Sequence, residues 1–208
     1  MTVAWPTAPG MAGVDEAGRG PLAGPVVAAA VILPSEPLIL GLNDSKKLTA
    51  ARREELAVQI RARAVAYGLG WVSAEEIDAL NILKATYLAM RRALLALSVY
   101  PQEVLIDGNR LPPTDGLPFT AQWRAIVKGD GKEAAIAAAS ILAKTARDDF
   151  MLGAEAALPG YGFGQHKGYG TAQHIAALRE LGVTPLHRRT FEPVKSMCLS
   201  RPSSVDSP

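Results

Sequence analysis

The sequence predicts an α/β fold, on three observations. Short β-rich runs bounded by glycine and proline alternate with longer stretches whose apolar residues recur at helical spacing. Apolar strands end repeatedly in an acidic residue beside a glycine, the way an α/β sheet presents carboxylates at its carboxyl edge. The chain has 208 residues, 49% hydrophobic and 20% charged, enough for one domain with a real core.

The organising stretch is Gly13-Val14-Asp15-Glu16-Ala17-Gly18-Arg19-Gly20-Pro21-Leu22-Ala23-Gly24-Pro25. Two adjacent acids follow a short apolar run, and glycines then flank a single arginine. Keeping both acids ionised favours a nearby cation, and Gly-Arg-Gly offers N–H groups and a guanidinium suited to phosphate or sugar oxygens. The segment reads equally as a divalent-metal site beside a nucleic-acid backbone or as a polar hairpin between two core strands. Met11 to Glu16 and Val26 to Leu33 are expected to be neighbouring strands joined through this turn. Successive strand side chains point to opposite faces. Asp15 and Glu16 can therefore share one metal site only if the chain twists or one of them ligates through its carbonyl.

Asn43 to Thr49 is a polar loop with Lys46 and Lys47 where a helix start at about Ala50 also favours an anion, although a solvated loop capped by Thr49 accounts for it too. That helix is expected to run to Ala64, with a third strand over Ala66 to Val72. Ser73-Ala74-Glu75-Glu76 has capping-box spacing. Leu83, Tyr87, Met90, Leu94 and Leu97 place a core face on a helix from about Asn81 to Leu97. Glu103 to Asp107 and Ala121 to Val127 read as strands, followed by Asp107-Gly108 and by Gly129-Asp130-Gly131. Asp107 and Asp130 thereby become candidate third and fourth ligands, each also readable as a turn former. Ala134 to Met151 is an alanine-rich helix on which Ser140, Lys144, Arg147 and Asp148 form one polar stripe, accountable as a solvent face with a Lys144–Asp148 pair. A glycine- and aromatic-rich loop spans Pro159 to Thr171, a last helix is expected over Thr171 to Leu181, and His187-Arg188-Arg189-Thr190-Phe191 sets basic groups beside an aromatic. Residues 1–10 and 200–208 are expected to be flexible tails.

Net charge is only +2, but from Tyr161 onward six basic residues face three acidic ones, and His166, His174 and His187 all lie there. That end is the better candidate for touching an acidic polymer. The longest apolar run, Val26 to Leu33, is too short to cross a bilayer, and residues 1–10 lack the regions of a signal peptide. A lone cysteine, Cys198, excludes a disulfide framework. A cytoplasmic location is expected.

Four acids at strand ends, without thiolates or paired histidines, point to a hard, oxygen-binding ion such as Mg²⁺ or Mn²⁺. Two such ions suit phosphodiester hydrolysis, with Tyr169 available to stack on a sugar or base.

Gly13 to Pro25, Asp44-Ser45-Lys46-Lys47-Leu48, Ile106-Asp107-Gly108-Asn109, Lys128-Gly129-Asp130, Ala137 to Lys144 and His166-Lys167-Gly168-Tyr169, taken together, closely resemble the bacterial ribonuclease HII family, in order from about Gly13 to Lys195. The resemblance implies a ribonuclease H-like fold, a mixed five-stranded sheet flanked by helices, with a helical C-terminal extension from about residue 155 of a single domain over 11–198. It implies an endonuclease cutting the RNA strand of RNA/DNA hybrids and nicking DNA 5′ of embedded ribonucleotides. The products would be a 3′-hydroxyl and a 5′-phosphate, in ribonucleotide removal and primer processing, by a monomer with no membrane attachment. By position, Asp15, Glu16, Asp107 and Asp130 would bind Mn²⁺ or Mg²⁺. Gly18, Arg19 and Gly20 would read the ribose 2′-hydroxyl with Tyr169. Ser45, Lys46 and Lys47 would hold phosphates, and Lys144, His166 and Lys167 would assist. Ribonuclease HIII carries an extra N-terminal domain and a lysine where Arg19 stands, and ten residues before Met11 are too few for such a domain. A non-catalytic hybrid-binding protein is disfavoured by four intact acids near phosphates.

Overall fold

The computed structural model describes residues 10–36 and 38–199; the tails expected over 1–10 and 200–208 lie, apart from Gly10, outside them. The strands are β1 (Met11–Ala17), β2 (Val26–Ile32), β3 (Ala66–Val72), β4 (Glu103–Asp107) and β5 (Gln122–Ile126). The helices are α1 (Ala50–Arg63), α2 (Ala74–Leu80), α3 (Ile82–Leu95), α4 (Ala134–Ala157), α5 (Phe163–His166), α6 (Ala172–Leu181) and α7 (Val194–Leu199). Among the described residues the strands form one mixed five-stranded sheet in the order β3-β2-β1-β4-β5. β1, β2 and β3 pair antiparallel, while β4 runs parallel to both β1 and β5. Three parallel strands therefore end at the same edge.

The sheet is covered on both faces, which explains why β2 is apolar throughout rather than alternating. Even-numbered residues such as Val14, Ala28, Ala30, Val104 and Ile106 pack with Ala89, Met90 and Leu94 of α3. Odd-numbered Ala29 and Val31 pack with Leu56 and Ile60 of α1 and with Ile141 and Leu142 of α4. Of the core face expected on α3, Met90, Leu94 and Leu97 are buried, whereas Leu83 and Tyr87 are half-buried; Ala89 and Ala93 lie against Gly70 and Gly68 of β3. The close approach is set by glycine: a Cβ on Gly70 would lie 1.9 Å from the Ala89 carbonyl oxygen. A third cluster, with Tyr161, Phe163, Leu178 and Val194, packs the C-terminal part against Met151 and Ala154 of α4 and against Leu22 and Ala23.

Two expectations are modified. The capping box at Ser73 and Glu76 is complete, but it starts a helix, α2, that the sequence reading left as a cap alone. The polar stripe of α4 is not a solvent face: Ser140 and Arg147 are buried, Ser140 against Ser45 and Arg147 against the Ala23 and Pro25 carbonyls. The Lys144–Asp148 pair is present at 2.6 Å, and Asp148 also meets Arg53 at 3.5 Å.

Gly13 lets α4 lie on β1, since an added Cβ would stand 2.1 Å from the Ala135 carbonyl carbon. Gly153, further along α4, has open space around its Cβ position. Thermal melts should separate them: Gly13→Ala is expected to destabilise by about 1–3 kcal/mol through overpacking, and Gly153→Ala to stabilise by roughly 0.5–1 kcal/mol through helix propensity. Shifts of the same sign would contradict this packing.

Candidate active site

β1 pairs with β2 as far as Ala17, but its pairing with β4 ends at Val14 and Ile106. Asp15 and Glu16 thus sit inside one ladder rather than at a strand end, with the opposite side open. Continuing the parallel register by one residue brings Asp15 beside Asp107 on the face covered by α4. Asp130 arrives from a 3₁₀ turn, Gly129–Gly131, held where the Gly129 N–H donates to Asp107 Oδ1 at 2.7 Å. One carboxylate oxygen from each of Asp15, Asp107 and Asp130 lies within 4.8 Å of the others. The Glu16 carboxylate pairs with Arg19 at 3.2 Å, and both residues border the same cleft as Asp15.

Asp15 is only 6% exposed. Burial, then the neighbouring charges of Glu16 and Asp107, push its carboxyl well above the usual range, against hydrogen bonds from Ser140 and the Glu16 N–H. Burial also raises Glu16, opposed by Arg19, and it raises Asp130, aided by the charges of Asp107 and Asp44 and opposed by Lys46. All three shifts disfavour the ionised carboxylates, burial being the largest cause of each. The donor set is all carboxylate oxygen, the chemistry of a hard divalent cation rather than of zinc, so these residues fit Mg²⁺ or Mn²⁺.

A cleft of about 320 Å³ opens beside the acids, lined by Gly18, Arg19, Gly20, Ser45, Lys46, Lys144, Arg147 and Tyr169 among others. Lys46 and Lys47 are exposed on a 3₁₀ turn capped by Asp44, while the Ser45 hydroxyl is turned inward to Ser140 Oγ at 2.9 Å. Arg53 fixes the turn by donating to the Ser45 and Leu48 carbonyls. Tyr169 is half-exposed at the rim. His166 and Lys167 are not on the cleft wall: the histidine ring nitrogens engage the Tyr161 carbonyl and the Gly168 N–H, and the lysine donates to the Gly164 carbonyl. Sequence reasoning missed two buried arginines, one on the cleft wall and one behind it. Arg147 donates to the Ala23 and Pro25 carbonyls, and Arg188 to those of Gly18, Arg19 and Gly24. Burial disfavours the charge of each. Nothing local in the sequence marks them, since their acceptors lie more than 100 residues away.

Residues 12–194 match the family model for ribonuclease HII. The chain belongs to the ribonuclease HII family. A ribonuclease HII of Laribacter hongkongensis is 60% identical over 188 residues, covering 90% of this chain and 93% of that one. The crystal structure of ribonuclease H2 from Pyrococcus horikoshii OT3 superposes with a TM-score of 0.76 at 28% identity, over 90% of this chain and 96% of that one. Bst ribonuclease HIII in complex with Mn²⁺, at 18% identity and TM-score 0.71 over 93% of this chain and 70% of that one, shares the fold. As a ribonuclease HII the chain is a hydrolase, a metal-dependent endoribonuclease of the type that acts on RNA paired with DNA. Among the described residues no helix is long and apolar enough to cross a membrane.

The raised carboxyls carry a stability consequence. A folded-state pKa above the unfolded value means that the folded protein binds more protons in the interval between them. The cluster therefore destabilises the fold increasingly as pH rises from near 4 through the raised pKa of Asp15. In chelator at neutral pH, Asp15→Asn is expected to raise the melting temperature by about 2–4 °C, near ~1 kcal/mol for a domain of this size, and the gain should fade toward pH 4. An equal or lower melting temperature at neutral pH would contradict the crowding of charge.

Proposed function

We propose that the chain hydrolyses the RNA strand of RNA/DNA hybrids and nicks duplex DNA on the 5′ side of an embedded ribonucleotide, leaving a 3′-hydroxyl and a 5′-phosphate. The observation that carries this reading is the trio Asp15, Asp107 and Asp130 gathered beside a basic cleft whose wall includes a Gly-Arg-Gly loop. These three, with Glu16 as a further oxygen donor, would hold Mn²⁺ or Mg²⁺, two ions once substrate is bound. When bound, such ions lower the pKa of water and stabilise charge on phosphodiester oxygens.

The remaining residues bind and orient. Lys46 and Lys47, exposed on the loop ahead of α1, suit backbone phosphates, and the Ser45 main chain anchors that loop through Arg53. Gly18, Arg19 and Gly20 suit the 2′-hydroxyl of the ribose, the group that distinguishes RNA from DNA at one sugar, with the Tyr169 ring against the sugar. A Cβ at Gly18 would fall 2.0 Å from Arg147 Nε, so the loop depends on glycine there, whereas one at Gly20 would meet the Tyr169 ring in an ordinary contact at 3.7 Å. Lys144, held by Asp148 at the cleft wall, supplies positive charge near the phosphates. His166 and Lys167 act through the loop that carries Tyr169. The reading takes residues 11–198 as one catalytic domain working as a cytoplasmic monomer in ribonucleotide removal and primer processing.

The test is incubation of labelled duplex DNA containing one ribonucleotide with wild type and with Asp107→Asn, followed by mapping of the cut. Wild type should nick 5′ of the ribonucleotide in Mn²⁺ or Mg²⁺ and not in chelator. Asp107→Asn, whose amide oxygen can still accept from Gly129, should keep a native circular dichroism spectrum and lose at least about 10²-fold in rate, the scale on which removing one charge-stabilising group acts. Full activity in this variant would overturn the assignment.

A further inference from the structure

Behind the cleft, two consecutive residues of the C-terminal part reach both loops on which the proposed discrimination rests. Arg188 is fully buried, and its hydrogen bonds run to main-chain carbonyls: Nη1 donates to Arg19 at 2.8 Å, Nη2 to Gly18 and to Gly24 at 2.9 Å, and Nε to Gly24 at 3.1 Å. Phe191 lies against the guanidinium at 5.1 Å. A buried charge with only neutral acceptors is expensive to hold, so its use here lies in what it fixes. The Gly18 carbonyl shares a peptide plane with the Arg19 N–H, and the Arg19 carbonyl with the Gly20 N–H. In a trans peptide these groups point in opposite directions. Drawing both carbonyls inward aims both N–H groups away from Arg188, toward the cleft that these residues line.

His187 acts on the second loop. Its Nδ1 accepts the Thr184 N–H at 3.0 Å, which puts the proton on Nε2. Nε2 then donates to His174 Nε2 at 3.0 Å, which leaves the His174 proton on Nδ1, donating to the Tyr169 carbonyl at 3.0 Å. The tautomers of both neutral rings follow from the two ends of the chain, since the Thr184 N–H can only donate and the Tyr169 carbonyl can only accept, and the Thr184 hydroxyl, 2.8 Å from His187 Nδ1, then donates as well. The loops are also laced together by main-chain bonds, Leu22 N–H to Gly168, Arg188 N–H to Leu22 and Gly24 N–H to Leu186, each 2.8 Å.

We propose that Arg188, and His187 acting through His174, are positioning residues for substrate discrimination: they lock the Gly-Arg-Gly loop and the Tyr169 loop into one rigid reader, so that the place of the cut depends on side chains that do not touch the duplex. This rests on the reading of Gly18 to Gly20 and Tyr169 as the 2′-hydroxyl contacts.

The test is the distribution of cuts in duplex DNA carrying a short block of ribonucleotides. That distribution does not change with the fraction of active protein, so a purely structural defect would lower the total rate and leave it alone. Wild type is expected to concentrate its cuts at one position relative to the RNA–DNA junction. Arg188→Lys and His174→Leu should scatter them, lowering the share at that position by at least about twofold, a modest form of the loss that a misplaced group causes. His174→Asn, whose amide N–H stands near the lost Nδ1–H, should restore the wild-type pattern. If Arg188→Lys does not fold, the two His174 variants carry the test. An unchanged pattern in a folded Arg188→Lys or in His174→Leu overturns the proposal. Tyr169→Ala serves as the reference: if it too leaves the pattern unchanged, the 2′-hydroxyl reading fails and the proposal with it, whereas scatter in Tyr169→Ala alone refutes the positioning role only.

Discussion

Like charges crowded at the carboxyl edge of the sheet are the constraint to which the rest of the molecule answers. Asp15, Asp107 and Asp130 bring their oxygens within 4.8 Å of one another, at a site where burial already disfavours ionisation. An arrangement that destabilises its own fold survives only if the frame around it does not relax. Parallel alignment of β1, β4 and β5 supplies the frame, because strands that run the same way end on the same side. The hydrogen bond from Gly129 to Asp107 then fixes the turn that carries Asp130 to the end of β4.

Stiffness comes from close contact between backbones. Gly13, Gly68 and Gly70 leave no room for a side chain between the sheet and α3 or α4, and alanines cover most of the facing surface of α4. Such packing transmits rather than absorbs displacement. The irregular Gly18–Pro25 loop is held by a bridge between Ala23 and His187 and by two buried guanidinium groups, Arg147 from α4 and Arg188 from the C-terminal part. The C-terminal part thus does more than cover a helix. It grips the loop that, on the proposed reading, meets the substrate.

Much of this was legible in the sequence, and the reasons are local. The five strands could be placed because β-rich runs bounded by glycine and proline are short-range signals, and β3 falls on the expected residues, Ala66–Val72. The recurrence of an acid beside glycine after an apolar strand made Asp107 and Asp130 candidates, and both lie beside Asp15, although Asp130 stands on a 3₁₀ turn rather than at a strand tip. Strand alternation raised the question of how Glu16 could share a site with Asp15, and its carboxylate is paired with Arg19. What could not be read is whatever depends on distant pairing. The stripe on α4 has the spacing of a solvent face and becomes buried only because segments far away in sequence fold over Ser140 and Arg147. His187 and Arg188 looked like a basic tract beside an aromatic, yet both are core residues. The short helices α5 and α7 were missed, since helices of four and six residues are too short to show a periodicity.

The central claim is that three aspartates on separate segments form one cation site. Titrating Mn²⁺ into the protein without nucleic acid, with free Mn²⁺ followed by electron paramagnetic resonance, tests it most directly. The account predicts saturable binding by wild type that weakens at least about tenfold, ~1.4 kcal/mol, in Asp130→Asn, the ligand farthest from Asp15 in sequence. Equal affinity in the two proteins would mean that Asp130 stands near the others without sharing an ion, and the account would be wrong.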